Sequence, residues 1–194
     1  MIQASRYRGG LTMQLNIRPA RPAELEDVAR LYDELNDHLA AGTNFPGWQK
    51  GVYPTLDTAR AGLAEGALYL AFCGDELAGA AVLNQTQPSA YRTACWHIPA
   101  SRREVLAVHT LAVHPRWMGR GVARELLEYA ERLAARKGAK AIRLDTFQNN
   151  LPAIALYRSC GFALAGKVDL GYADSGRPWF FCFEKAVQAD GANE

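Results

Sequence analysis

The chain has 194 residues, with 49% hydrophobic residues, 22% charged residues and a formal net charge of +2. That length suits one domain with a real core. The near-neutral charge and scattered arginines exclude an electrostatic case for nucleic acid or an acidic membrane, and no run approaches the ~20 apolar residues of a spanning helix. Residues 1–12 carry basic residues but no apolar core of a signal peptide, so they read as a poorly ordered extension ahead of a domain over 13–187, with a flexible tail over 188–194.

Gln14–Pro19 reads as a first strand. Pro22, Glu24, Glu26 and Asp27 favour a helix N-terminus, and Leu25, Val28, Leu31, Tyr32, Leu35 and Leu39 recur at helical spacing up to Gly42. Residues 43–54 form a loop rich in Gly, Pro and aromatics, followed by a helix over Leu56–Ala64. Ala67–Cys73 and the run from Leu77 to about Gln85 flank a Gly74-Asp75-Glu76 turn and predict a hairpin. Residues 87–103 are irregular, Glu104–Val113 is an apolar strand, and Gly121 to Arg136 is an amphipathic helix ended by Gly138. Ala141–Phe147 (strand), Pro152–Ser159 (helix), Phe162–Leu170 and Trp179–Glu184 (strands) complete the order. This pattern predicts an α+β fold: a mixed, mostly antiparallel sheet with one central β-α-β crossover.

Four cysteines, Cys73, Cys95, Cys160 and Cys182, form no C-x-x-C pair and lie at no metal-ligand spacing from histidine. They read as free thiols in a reducing, cytoplasmic setting, with no metal.

The chemical signal is strongest in residues 108–127. There a strand ends, a short loop follows, and Gly119 and Gly121 open the long helix. Glycines let the backbone approach a ligand closely, and the unpaired N–H groups of a helix's first turn form a site for pyrophosphate. Arg120 and Arg124 add positive charge. No Gly-Lys-Ser/Thr follows, which excludes a P-loop; a dinucleotide fingerprint would place Arg124 where Gly or Ala is required.

Two motifs then resemble the GNAT superfamily of N-acetyltransferases. Met118-x-x-Gly121-x-Ala123, after the Val113-His114-Pro115 turn, is similar to the family's Gln/Arg-x-x-Gly-x-Gly/Ala signature, with Met118 departing from it. Asn150, Ala153, Leu156, Tyr157, Gly161 and Phe162 fit the second element, Asn-x-x-Ala-x-x-Leu-Tyr-x-x-x-Gly-Phe. The resemblance covers residues 14–186 and implies the GNAT fold, acetyl-CoA as cofactor and a primary amine as acceptor, carried by a small molecule; the alternatives are a protein Lys or N-terminal acetyltransferase and a non-catalytic acyl-CoA-binding module. It implies that Leu111, Ala112 and Val113 offer backbone groups to the pantetheine arm. It implies further that Met118, Gly119, Arg120, Gly121, Val122, Ala123 and Arg124 surround the pyrophosphate. Asn150 and Ala153 then meet the cofactor, and Tyr157 protonates the departing thiolate.

For the base that deprotonates the amine, His109 and Glu104 rank first, with His97 and Asp145 as further options and a water chain as the alternative. Period-two alternation places His109 on the face of Leu111 and Val113. Phe45, Trp48, Tyr53, Trp96 and the 171–178 loop are expected to form the acceptor pocket, with Asp174 a candidate partner for a cationic amine. Exposed strand edges near the C-terminus offer a surface for a homodimer.

Overall fold

The computed structural model describes residues 14–188. The expectations for residues 1–12 and for the tail beyond 188 lie outside them. One seven-stranded sheet runs in the order β1-β2-β3-β4-β5-β7-β6. Its strands are β1 (Leu15–Pro19), β2 (Leu68–Cys73), β3 (Glu76–Asn84), β4 (Val105–Val113), β5 (Ala141–Phe147), β6 (Ala163–Val168) and β7 (Phe180–Ala186). Every neighbouring pair is antiparallel except β4 and β5, which are parallel and joined by the crossover helix α3 (Val122–Arg136). The mixed sheet and single crossover are those expected from the sequence.

Two helical layers cover the sheet. On one face, α1 (Leu25–Ala41) and α2 (Leu56–Ala64) bury a stripe of Val28, Leu31, Tyr32, Leu35 and Leu39 against Leu68, Leu70, Ala80 and Ala112. The spacing of that stripe is the helical one seen in the sequence. Pro22 does not begin α1 itself; Pro22–Glu24 is a separate single turn, and Glu24 accepts from the Arg21 N–H at 2.7 Å. On the other face, Leu126, Leu127, Ala130, Leu133 and Ala134 of α3 pack with Ile154, Tyr157 and Cys160 of α4 (Leu151–Ser159) against Leu106, Val108, Ile142, Leu144 and Phe183. The hairpin of β2 and β3 closes through Gly74 at φ +59°.

The 87–103 segment, irregular in sequence, packs on one face of β5, β7 and β6 and is fastened by a buried ion pair. Arg143 Nε donates to Glu184 Oε1 at 2.9 Å, and the other Glu184 oxygen accepts from the His97 and Ile98 N–H groups at 2.7 and 3.0 Å. The Arg143 guanidinium also donates to Gln87 Oε1 and the Ile98 carbonyl, both at 3.2 Å, and stacks 4.2 Å from the Trp96 ring centroid. Burying these charges is tolerable because nearly every donor and acceptor finds a partner.

Candidate active site

β4 and β5 pair only from Val105 with Ala141 to Val108 with Leu144. Beyond that point the strands part, and β4 is distorted. Val82 of β3 stands opposite His109 but Ala80 stands opposite Ala112, so two residues of β4, Thr110 and Leu111, face one residue of β3. Thr110 takes φ +49°, a left-handed conformation that costs a β-branched residue on the order of 1–2 kcal/mol. The extra residue shifts the alternation by one. Leu106 and Val108, and then Leu111 and Val113, pack into the same α3–α4 cluster, while Ala112 joins the opposite one. The expectation that His109 shares a face with Leu111 and Val113 is therefore corrected: strict period-two counting fails across a bulge. His109 instead places Nε2 2.9 Å from the Thr86 carbonyl, beside the 87–103 segment. Thr110 Oγ1 lies 2.5 Å from the Tyr53 hydroxyl, which pins the α1–α2 loop to the strained residue.

α3 begins beside this split. Gly119 and Gly121 take φ +72° and +88°, the left-handed values that glycine adopts without steric cost, and Gly121 is the residue that caps α3. The helical ladder starts with the Glu125 N–H donating to the Gly121 carbonyl at 3.1 Å. The N–H groups of Val122, Ala123 and Arg124 therefore precede the ladder at the positive end of the helix dipole. Gly79 of β3 permits this approach: a Cβ there would sit 2.9 Å from the Ala112 carbonyl and 2.9 Å from Val122 Cγ1. Sequence reasoning did not single out Gly79, since a strand glycine carries no motif of its own. Arg124 turns its guanidinium to the end of α4, donating to Ser159 Oγ at 2.7 Å.

A cavity of about 1110 Å³ runs from this helix start through the β4–β5 split to the α1–α2 loop. Leu111, Val113, Met118, Gly119, Gly121, Val122, Ala123, Arg124, Asn150, Ala153, Tyr157 and His109 all line it. Three expected residues do not. Ala112 is buried against the α1 side, Arg120 lies over the Trp117 ring at 5.2 Å, and Glu104 sits outside β4 in a single turn, Arg102–Glu104. Glu104 is bound to Lys140 Nζ at 2.6 Å and accepts from the Ser101 N–H at 2.9 Å, and these contacts hold its carboxyl down at about 2. A carboxylate so stabilised is a poor base for an ammonium ion, so its place beside His109 as candidate base is corrected on geometry and chemistry alike. Asn150 caps α4, accepting from the Ala153 N–H at 3.4 Å and donating to Thr146 Oγ1 at 2.9 Å.

The far end of the cavity is the aromatic one. Phe45, Trp48, Tyr53, Phe147, Tyr172 and Phe180 line it, whereas Trp96 packs on Tyr91 and Arg143, and neither Asp174 nor His97 reaches it. The loops before α2 and before β7 meet above it: a Cβ on Gly47 would lie 2.6 Å from Arg177 Cδ. Asp145, at the parting of the strands, accepts from the Tyr91 hydroxyl at 2.6 Å. Burial raises its carboxyl above the ordinary value, against the opposing influence of the Tyr91 hydrogen bond and of His109. Burial, and then the Asp145 charge, push the Tyr157 phenol well above an ordinary tyrosine. Sequence reasoning did not single out Tyr91, because it lies in a segment with no periodic pattern. Among the described residues, no group of three or more His, Cys, Asp or Glu side chains could hold a metal, and no helix is long and apolar enough to cross a membrane.

Residues 28–162 match the profile of the Acetyltransferase (GNAT) family. A streptothricin acetyltransferase of Escherichia coli is 38% identical over 106 residues, 55% of this chain and 52% of the relative. An uncharacterized N-acetyltransferase, YvbK of Bacillus subtilis (strain 168), is 28% identical over 57% of this chain and 62% of the relative. The chain thus spans about half the length of the curated relatives it matches. A GNAT-family acetyltransferase from Streptococcus agalactiae superposes with a TM-score of 0.74 at 20% identity, covering 92% of this chain and 99% of that one. The structure of yncA from Salmonella typhimurium, which holds its cofactor acetyl-CoA, superposes at 0.64 with 17% identity over 93% of this chain and 98% of its own. On the family match, which takes in both motifs up to Phe162, this chain belongs to the GNAT family of acetyltransferases.

Proposed function

We propose that the protein transfers the acetyl group of acetyl-CoA directly to a primary amine of a small molecule. The observation that carries this reading is the continuity of the cavity: one end is the glycine-opened start of α3, the middle is the β4–β5 split, and the other end is the roofed aromatic pocket. The backbone N–H groups at the start of α3 suit a pyrophosphate. The β5 side of β4 beyond Val108 has no strand partner and suits an extended pantetheine arm, with a backbone N–H near Val113 polarising the thioester carbonyl. Tyr157, lining the cavity on α4, supplies the proton that the departing thiolate needs; burial and the Asp145 charge keep its phenol protonated until then. Support for a small acceptor, as against a peptide, comes from the roof formed by Gly47 and Arg177, and from the relative named for streptothricin.

The test is a mass-spectrometric screen of free amines and peptides with acetyl-CoA. Acetylation of at least one free amine and of no peptide is expected; peptide acetylation alone would overturn the small-molecule reading. With the best acceptor, Tyr157→Phe is expected to lower kcat about 100-fold with little change in KM, as for loss of a general acid.

A further inference from the structure

We infer that Asp145 is the seat of the acceptor's ammonium group and the base that removes its proton, so that the site selects amines that are cations in solution and are carried on an apolar or aromatic body. This rests on the acetyltransferase reading above and names the substrate class that fits it.

Asp145 is the sole carboxylate among the residues that line the cavity. It stands at the end of β5, opposite Cys182 of β7, where β4 has already turned away. Tyr91 occupies one of its oxygens; the other has no protein donor among the described residues and is not sealed from solvent. No lysine or arginine there neutralises it. Arg143, two residues earlier, is spent on Glu184, Gln87 and Ile98; Arg124 is held by Ser159, and Arg177 by Ser175 and the Tyr172 ring. A shielded carboxylate without a cation is costly, and a charged ligand is what completes it. Tyr53, Phe147, Tyr172 and Phe180 line the same cavity, and aromatic rings suit an alkylammonium and its apolar body.

The groups that face Asp145 from neighbouring elements are Tyr91 on the 87–103 segment, His109 on β4, Tyr53 on the α1–α2 loop, Tyr157 on α4 and Cys182 on β7. The Asp145 charge pushes Tyr91, Tyr53, Tyr157 and Cys182 toward their protonated forms. The proton balance follows. The ammonium gives one proton to the Asp145 carboxylate. The freed nitrogen lone pair attacks the thioester carbonyl carbon, the C–S bond breaks, and the sulfur takes the Tyr157 proton. The second nitrogen proton leaves with formation of the amide and restores Tyr157, and Asp145 returns its proton to solvent. Neutralising Asp145 in the first step lowers the barrier to proton loss from Tyr157 when the C–S bond breaks, so the two residues work in sequence rather than in opposition.

The experiment uses the full chain with acetyl-CoA and two probes of similar shape, 3-phenylpropylamine, an ammonium ion at neutral pH, and 4-propylaniline, which is already neutral. Thiol release, acetyl-CoA binding by calorimetry and the pH profile of kcat/KM are measured for the wild type, Asp145→Asn and Tyr91→Phe. Asp145→Asn is expected to lose at least 100-fold in kcat/KM with 3-phenylpropylamine, to stay within about threefold with 4-propylaniline, to bind acetyl-CoA as the wild type does, and to lose the acid limb of the profile. Tyr91→Phe keeps the carboxylate but removes the hydrogen bond that lowers its pKa, so its acid limb is expected to move to higher pH. Equal loss on both probes, no loss on either, or an unmoved limb in Tyr91→Phe would overturn the inference. Wild-type protein that binds acetyl-CoA but acetylates neither probe also overturns it and leaves the cofactor reading intact; failure to bind acetyl-CoA overturns the reading on which it rests.

Discussion

Gly121 shows how a single residue carries a site. Its φ of +88° puts it in the left-handed region at the residue that caps α3, so that the next three N–H groups point out of the helix start. A β-branched side chain there costs on the order of 1–2 kcal/mol in the native backbone, and the loop relaxes by moving those donors. Gly121→Val is expected to weaken acetyl-CoA binding at least 10-fold by calorimetry while the thermal transition shifts only modestly; a tenfold change corresponds to about 1.4 kcal/mol. Met118→Ala, at the motif position that departs from the family signature, is expected to stay within about threefold, because backbone donors carry the grip. Unchanged affinity in Gly121→Val would remove the helix start as the phosphate site. Tyr157 and Gly121 were legible as single letters of a motif. Asp145 was legible as a further option for the base, ranked behind His109 and Glu104, and its partner Tyr91 not at all, since their contact joins positions 54 residues apart.

At the scale of elements, the site depends on how α3 sits on the sheet. Gly79 faces Val113 across β3 and β4, directly beneath the first turn of α3. A methyl group there meets the Ala112 carbonyl and Val122 at 2.9 Å, and Leu126 at 3.2 Å, none of which is the free end of a long side chain. Gly79→Ala is expected to cost about 1–3 kcal/mol of stability, as overpacking does, and to weaken acetyl-CoA binding in proportion to the displacement of α3. Chemical denaturation and calorimetry on the same variant check both effects; full stability with full affinity would show that α3 has room to spare. The same scale explains the error over His109. Alternation is reliable along a regular strand, but Thr110 inserts an extra residue, and nothing in the local sequence VHTLAV announces it.

The described residues form two helical layers on one sheet, with the 87–103 segment fastened to β5 and β7 by Arg143 and Glu184. That pair is almost fully buried, its side chains 7% and 1% exposed. Glu184→Gln leaves the Arg143 charge uncompensated, and loss of about 3 kcal/mol is expected in urea denaturation. Because Glu184 also holds the His97 and Ile98 N–H groups, the segment bearing Tyr91 is expected to loosen with it, seen as faster amide exchange over residues 87–98. Unchanged exchange there would separate the ion pair from the site.

The sequence by itself determined the main elements, their order and the glycine-opened helix start at one end of the cavity. Those features are local: a helix declares itself by its apolar period, a hairpin by its turn, and a phosphate site by glycines that open a helix. Only the tertiary structure decided the acceptor end. Thr110 in its bulge, Asp145 beside Tyr91, Glu104 drawn off to Lys140, and the loops meeting at Gly47 and Arg177 are all set by contacts between distant segments. The energy of such contacts depends on which segments the sheet brings together and on what water they exclude. No window along the chain contains that information, which is why the glycine-opened helix start could be read from its motif and the surroundings of the carboxylate at the far end required the fold.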